Sequence, residues 1–141
     1  MVNIYLDNIN ISGQAQLPPV AAFTGDTDGC TGKTLQFYDY TKVLGRKIKD
    51  YPNYHLTFSA ADGNDSDVQK AIAQGYNVAV VFGIKKTLPM PADYLSMPVF
   101  NGDESDLRFL DPSNVVVGLY AKGKAKKDNT GFVKFIQLVS A

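Results

Sequence analysis

The sequence holds very little of what thiol and metal chemistry needs. Cys30 is the one cysteine in 141 residues, so no internal disulfide forms and a reducing compartment is expected. His55 is the one histidine, which excludes zinc sites built from several imidazoles and weakens acid–base schemes that need two. Its neighbours in the sequence read as a strand, so a half-buried structural position is expected. Lysine plus arginine (14) cancel aspartate plus glutamate (14). With no net charge, only a local cluster can attract nucleic acid or another anion. The stretch Met1 to Asp7 has neither a basic flank nor a long apolar run, so no signal peptide or membrane span is expected and the chain reads as cytoplasmic. No internal repeat is visible, and the only compositionally biased tract is Lys122 to Asp128. No serine or cysteine sits in a hydrolase signature.

What is present reads as one α/β domain over residues 1–141, with 45% hydrophobic residues and a length that suits a single core. Val2, Ile4 and Leu6 alternate with polar positions, and Ile9 and Ile11 resume the pattern, which predicts a short hairpin. A punctuated loop follows from Pro18-Pro19 to Gly29. Leu35 to Tyr40 reads as a strand, and Thr41 to Asp50 as a short helix weakened by Gly45. Tyr54, Leu56 and Phe58 share one face of the next strand. Ser66 and Gln69 have capping-box spacing, Val68, Ala71 and Ile72 form a helical stripe, and Gly75 ends it. Val78 to Phe82 is apolar without alternation, as in a parallel strand covered on both faces. Strand, capped helix and strand make a βαβ unit. Val115 to Tyr120 is a second continuous run, and Phe132 to Val139 fits either strand or helix. The fold class expected is therefore α/β with a mainly parallel central sheet built on βαβ units, as three layers or part of a barrel.

Three motifs fall short of their chemistry. Gly32-Lys33-Thr34 ends like a phosphate-binding loop, but Thr27 stands where the first glycine is required and a strand follows instead of a helix. Asp62 to Asp67 starts like a calcium loop, yet Asp67 replaces the glycine and Ala73 the closing glutamate. Asp103, Glu104, Asp106 and Asp111 are dense enough to hold magnesium beside a phosphate, but oxygen clusters are common on surfaces and a solvated loop with Arg108 paired to one acid is the stronger reading. No metal site is assigned and no cofactor is specified.

The lysines are more informative. Lys85 and Lys86 follow the first continuous run; Lys122, Lys124, Lys126 and Lys127 follow the second. Ligands of open parallel sheets bind beyond the carboxyl ends of the strands. If both runs point the same way, these lysines gather at one edge, with Lys42 and the rings of Tyr38 and Tyr40 at the end of an earlier strand. Such a rim suits phosphate or single-stranded nucleic acid.

Several segments occur in a fixed order: Phe37-Tyr38-Asp39-Tyr40-Thr41-Lys42, Tyr54 to Ser59, and Asn77 to Phe82. Then come Asn101-Gly102-Asp103, Asp106 to Pro112, Gly118-Leu119, Ala121 to Ala125 and Gly131-Phe132-Val133. Together they resemble an uncharacterised family of proteins encoded by bacteriophages and plasmids, over roughly residues 36–134. The resemblance implies a mobile-element origin and no particular reaction. Longer members carry a cysteine-rich segment upstream; here residues 1–35 diverge and hold only Cys30, so no metal or iron–sulfur cluster carries over.

These observations lead to an accessory protein that binds an anionic partner, either nucleic acid or an acidic host protein, through Lys85, Lys86, Lys122, Lys124, Lys126 and Lys127. Tyr38 and Tyr40 would be its stacking surfaces. Two alternatives remain open. One is an enzyme acting on a nucleotide or phosphorylated small molecule, with Asp39, Asp103 and Asp106 as metal ligands or acid–base groups. The other is a structural or inhibitory protein whose hairpin at residues 2–11 closes a homodimer or extends a partner's sheet.

Overall fold

In the computed structural model, residues 2–6, 9–13, 35–48 and 50–137 are described, the first two segments by their backbone alone. The strands are β1 (Val2–Leu6), β2 (Ile9–Gly13), β3 (Leu35–Thr41), β4 (Tyr54–Ser59), β5 (Asn77–Phe82), β6 (Asp93–Tyr94), β7 (Met97–Asn101), β8 (Val116–Tyr120) and β9 (Val133–Lys134). One helix, α1 (Asp65–Ala73), lies between β4 and β5 in the chain. The sheet runs in the order β2-β1-β3-β4-β5-β8-β7-β6, with β9 also on β5. It is mixed and mostly parallel. β3, β4, β5, β8 and β7 all point the same way, while β1 and β6 run against their neighbours.

The two continuous apolar runs became the middle of this sheet, where both faces are covered and alternation has no use. Val78, Val80 and Phe82 of β5 pack with Phe58, Val116 and the α1 residues Val68 and Ala71 on the helix side. Ala79, Val115 and Val117 make a second cluster with Phe100 and Leu119 on the opposite side. Asn77 ties β5 to the segment entering β8: its amide donates to the Pro112 carbonyl (2.7 Å) and its oxygen accepts from the Val115 N–H (3.1 Å). β4 pairs with β5 only at Asn77 to Ala79, and β9 takes the vacated edge at Val81 and Phe82.

Several expectations need correction. Thr41 to Asp50 is not helical among its described residues. Gly45 takes a φ of 73°, the Thr41 hydroxyl accepts from the Val43 N–H, and Arg46 reaches back to Asp39. Side-chain bonds of this kind compete with a helix ladder. Asn64 holds the N-cap position of α1 without a side-chain bond to the helix; its side chain folds back to the Ala61 N–H and the Ser59 carbonyl, and with the N-cap at Asn64 the Ser66/Gln69 box is not used. Gly75 does end the helix, at a φ of 85°. The hairpin is present but is joined to the sheet, since β1 pairs with β3 along its length. The mainly parallel sheet was expected; layers built from several helices are not, among the described residues, what covers it. The Pro18 to Gly29 loop, Cys30, Gly32-Lys33-Thr34 and the last residues of the apolar tail lie outside the described residues.

Candidate anion-binding cleft

The sheet places the ends of β5 and β8 side by side. Phe82 is in register with Tyr120, and the ladder continues one step further through the Ala121 N–H to the Phe82 carbonyl (3.0 Å). The loops that follow must therefore start together. Each is pinned by its own bonds. Leu88 N–H donates to Lys85 carbonyl (2.9 Å), closing a turn around Lys85 and Lys86. The Tyr120 hydroxyl donates to the Leu88 carbonyl (2.6 Å) and fastens that turn to β8. After β8, Gly123–Lys127 forms a 3-10 turn.

Between the loops lies a cleft of about 520 Å³, lined by Lys85, Lys86, Lys122 and Lys126 among other residues, with Gly83 and Phe135 on its wall. Of the rim lysines anticipated from the sequence, these four are brought together. Lys124 and Lys127 do not line the cleft, because side chains three apart share a side of a 3-10 turn and Lys126 takes the other. Lys42 follows β3, with β4 between that strand and β5.

One acid tempers the field. The Asp103 carboxylate accepts from the Lys122 ammonium and from the Tyr120 N–H (2.8 Å). Burial alone would raise the Asp103 carboxyl, but these two donors outweigh it and hold it below its ordinary value. The same hydrogen bond, with the nearby carboxylate charge, raises Lys122. Lys122 is thus held charged and positioned, and an incoming anion must compete with Asp103 for it.

The remaining candidates are dispersed. Tyr38 is a correction: it is 1% exposed, with its ring 5.4 Å from Phe109, so it offers no surface for stacking. Side chains alternate along β3, and the Arg108–Leu110 turn covers the face that Tyr38 occupies. Tyr40 is 39% exposed but stands on β3, away from the cleft. Asp39 is buried and paired with Arg46 (3.0 Å). Three strands separate β3 from β7, the strand that leads into Asp103 and Asp106, or roughly 19 Å at ordinary strand spacing. The three acids do not form one site. Among the described residues no group of three or more histidine, cysteine, aspartate or glutamate side chains is placed to hold a metal ion.

Arg108 is the residue that sequence reasoning undervalued. Its side chain is wholly buried, donating to the carbonyls of Gly102 (2.8 Å) and Ser105, with Nε 3.4 Å from Asp111. Burial raises Asp111 despite that guanidinium. His55, on the same face of the sheet, is lowered by burial and then by the charge of Arg108. A larger hollow of about 910 Å³ opens at the leading ends of β4 and β5, near Arg46, His55, Asn77 and Asp111. Its charges are mixed and Arg46 is already occupied by Asp39, so it holds less free positive charge than the lysine cleft.

Among the described residues, no helix is long and apolar enough to cross a membrane. No curated protein and no solved structure matches the chain. A family model described as Gene product 88 matches residues 31–135. The chain belongs to that phage-type family, as its ordered sequence blocks implied.

Proposed function

We propose that this member of the Gene product 88 family is a non-enzymatic accessory protein that binds an anionic partner in the host cytoplasm. The reading rests on one observation: β5 and β8 run parallel and in register to Phe82 and Tyr120, so their trailing loops bound a cleft lined by four lysines. Lysine ammonium groups act as mobile point charges and suit phosphates or carboxylates without demanding one geometry. The dispersal of Asp39 from Asp103 and Asp106 favours binding over metal-assisted chemistry. The opposing charge at the cleft comes from Asp103, which is bonded to Lys122, and more weakly from Asp106, whose charge also acts on Lys122.

The test is a salt titration with labelled single-stranded and duplex DNA. Four phosphate contacts to a single strand give a log–log slope of about −3. Lys85→Gln, Lys86→Gln, Lys122→Gln and Lys126→Gln combined should flatten that slope and abolish binding at moderate salt. These side chains are exposed, so the quadruple variant is expected to fold. Salt-independent affinity, no binding to either nucleic acid or an acidic peptide, or an unaffected quadruple variant would remove the reading.

A further inference from the structure

The cleft contains an aromatic group that charge reasoning alone does not find. Phe135 is 61% exposed, against 39% for Tyr40. It is held there by its backbone. β9 pairs with β5 at Val81 and Phe82, and the Gly83 N–H donates to the Lys134 carbonyl (3.0 Å). The ring then lies against Gly83, so closely that a Cβ on Gly83 would stand 2.3 Å from its Cε1 and 2.4 Å from its Cδ1. Glycine at 83 lets the ring seat against the main chain. Lys85, Lys86, Lys122 and Lys126 share the same cleft.

We infer that the anionic partner is a single-stranded nucleic acid, with one base stacked on Phe135 and the flanking phosphates held by the lysines. The inference rests on the anion-binding reading above and narrows it. An acidic protein segment needs the positive charge but gains nothing specific from an exposed ring. A duplex keeps its bases stacked inside, whereas a single strand can turn a base out onto an aromatic side chain. The cleft volume of about 520 Å³ falls in the range that encloses one small ligand. It suits a nucleotide or two and is too small to admit a double helix. Stacking on a phenyl ring tolerates any base, so weak sequence preference is expected.

Two strands of equal charge separate the inference from the reading beneath it: oligothymidylate and an abasic strand of the same length. The native chain should bind the thymidylate strand roughly 5- to 150-fold more tightly, the range for one stacked base. Phe135→Leu keeps apolar cover without the ring's π-face and should bring thymidylate affinity down to the abasic level, leaving abasic binding unchanged. Gly83→Ala forces the exposed ring away from the main chain and should lower thymidylate binding in the same selective way. Phe135→Trp introduces the chain's sole tryptophan, whose emission should be quenched by thymidylate and unaffected by the abasic strand. Equal native affinity for the two strands, with a steep salt slope, overturns base stacking and leaves the anion-binding cleft standing. Preference for an acidic peptide over both strands does the same. Binding of none of the three overturns both.

Discussion

Gly102 sits where β7 hands the chain to the segment that carries both Asp103 and Arg108, and replacing it by alanine probes that joint sharply. Its φ is not among the positive ones, so alanine meets no backbone penalty and any cost is steric. The added Cβ would stand 2.4 Å from Arg108 Nη1 and 2.4 Å from Val117 Cγ1. Arg108 cannot withdraw freely, because it is fully buried and bonded to the Gly102 carbonyl (2.8 Å). Overpacking, together with loss or stretching of that charge-assisted bond, should destabilise by about 2 to 4 kcal/mol. Gly45→Ala supplies the contrast. There nothing stands within 4 Å of the new Cβ, and only the φ of 73° is unfavourable, a cost of about 1 kcal/mol. Urea unfolding of the two variants, compared at constant m-value, reads the difference directly. A Gly102→Ala midpoint equal to or above that of Gly45→Ala would refute the packing described for Arg108.

Two further outcomes follow from charges on the sheet's carboxyl end and on its face. Asp103→Asn keeps an oxygen for the Tyr120 N–H but removes the charge that holds Lys122. Single-stranded DNA should then bind more tightly, because a phosphate no longer competes with Asp103 for Lys122, while the slope for four contacts stays at about −3; unchanged or weaker binding would mean Lys122 takes no part. His55 is lowered from an ordinary value of 6.5 by burial and by Arg108. The unfolded chain therefore takes up a proton that the folded chain refuses, and stability falls as pH drops from that value toward the lowered one. His55→Gln should flatten this window in pH-dependent unfolding, and an unchanged pH profile would show that the imidazole is not held neutral.

The parts of the architecture legible in the sequence were those whose signal is local. Val78 to Phe82 and Val115 to Tyr120 had to be apolar on consecutive residues because β5 and β8 are covered on both faces, and this pattern also pointed to the lysines after each run. Elsewhere the deciding contacts were distant. Met97–Asn101 forms a strand against β8 although Pro98 argues against one; the ladder with β8 starts after the proline, at Val99, and Pro98 pairs only with Asp93 of the short edge strand β6. Tyr38 looked like a platform because its burial comes from Phe109, some seventy positions on in the chain. Arg108 read as a surface partner for an acid, since nothing nearby in sequence shows that a loop folds over the sheet and encloses it. Phe135 was hidden for a related reason. Its place depends on β9 adopting the edge of β5 that β4 leaves, a register no periodicity encodes.

The most direct test of the lysine cleft is a titration of the ¹⁵N-labelled protein with a short single strand, followed through its amide resonances. The shifts should concentrate at Gly83 to Lys86, Ala121 to Lys126 and Phe135, and weaken as salt is added. Shifts confined to Arg46, His55, Gln74 and Asn77, around the hollow at the other end of the strands, would contradict the account.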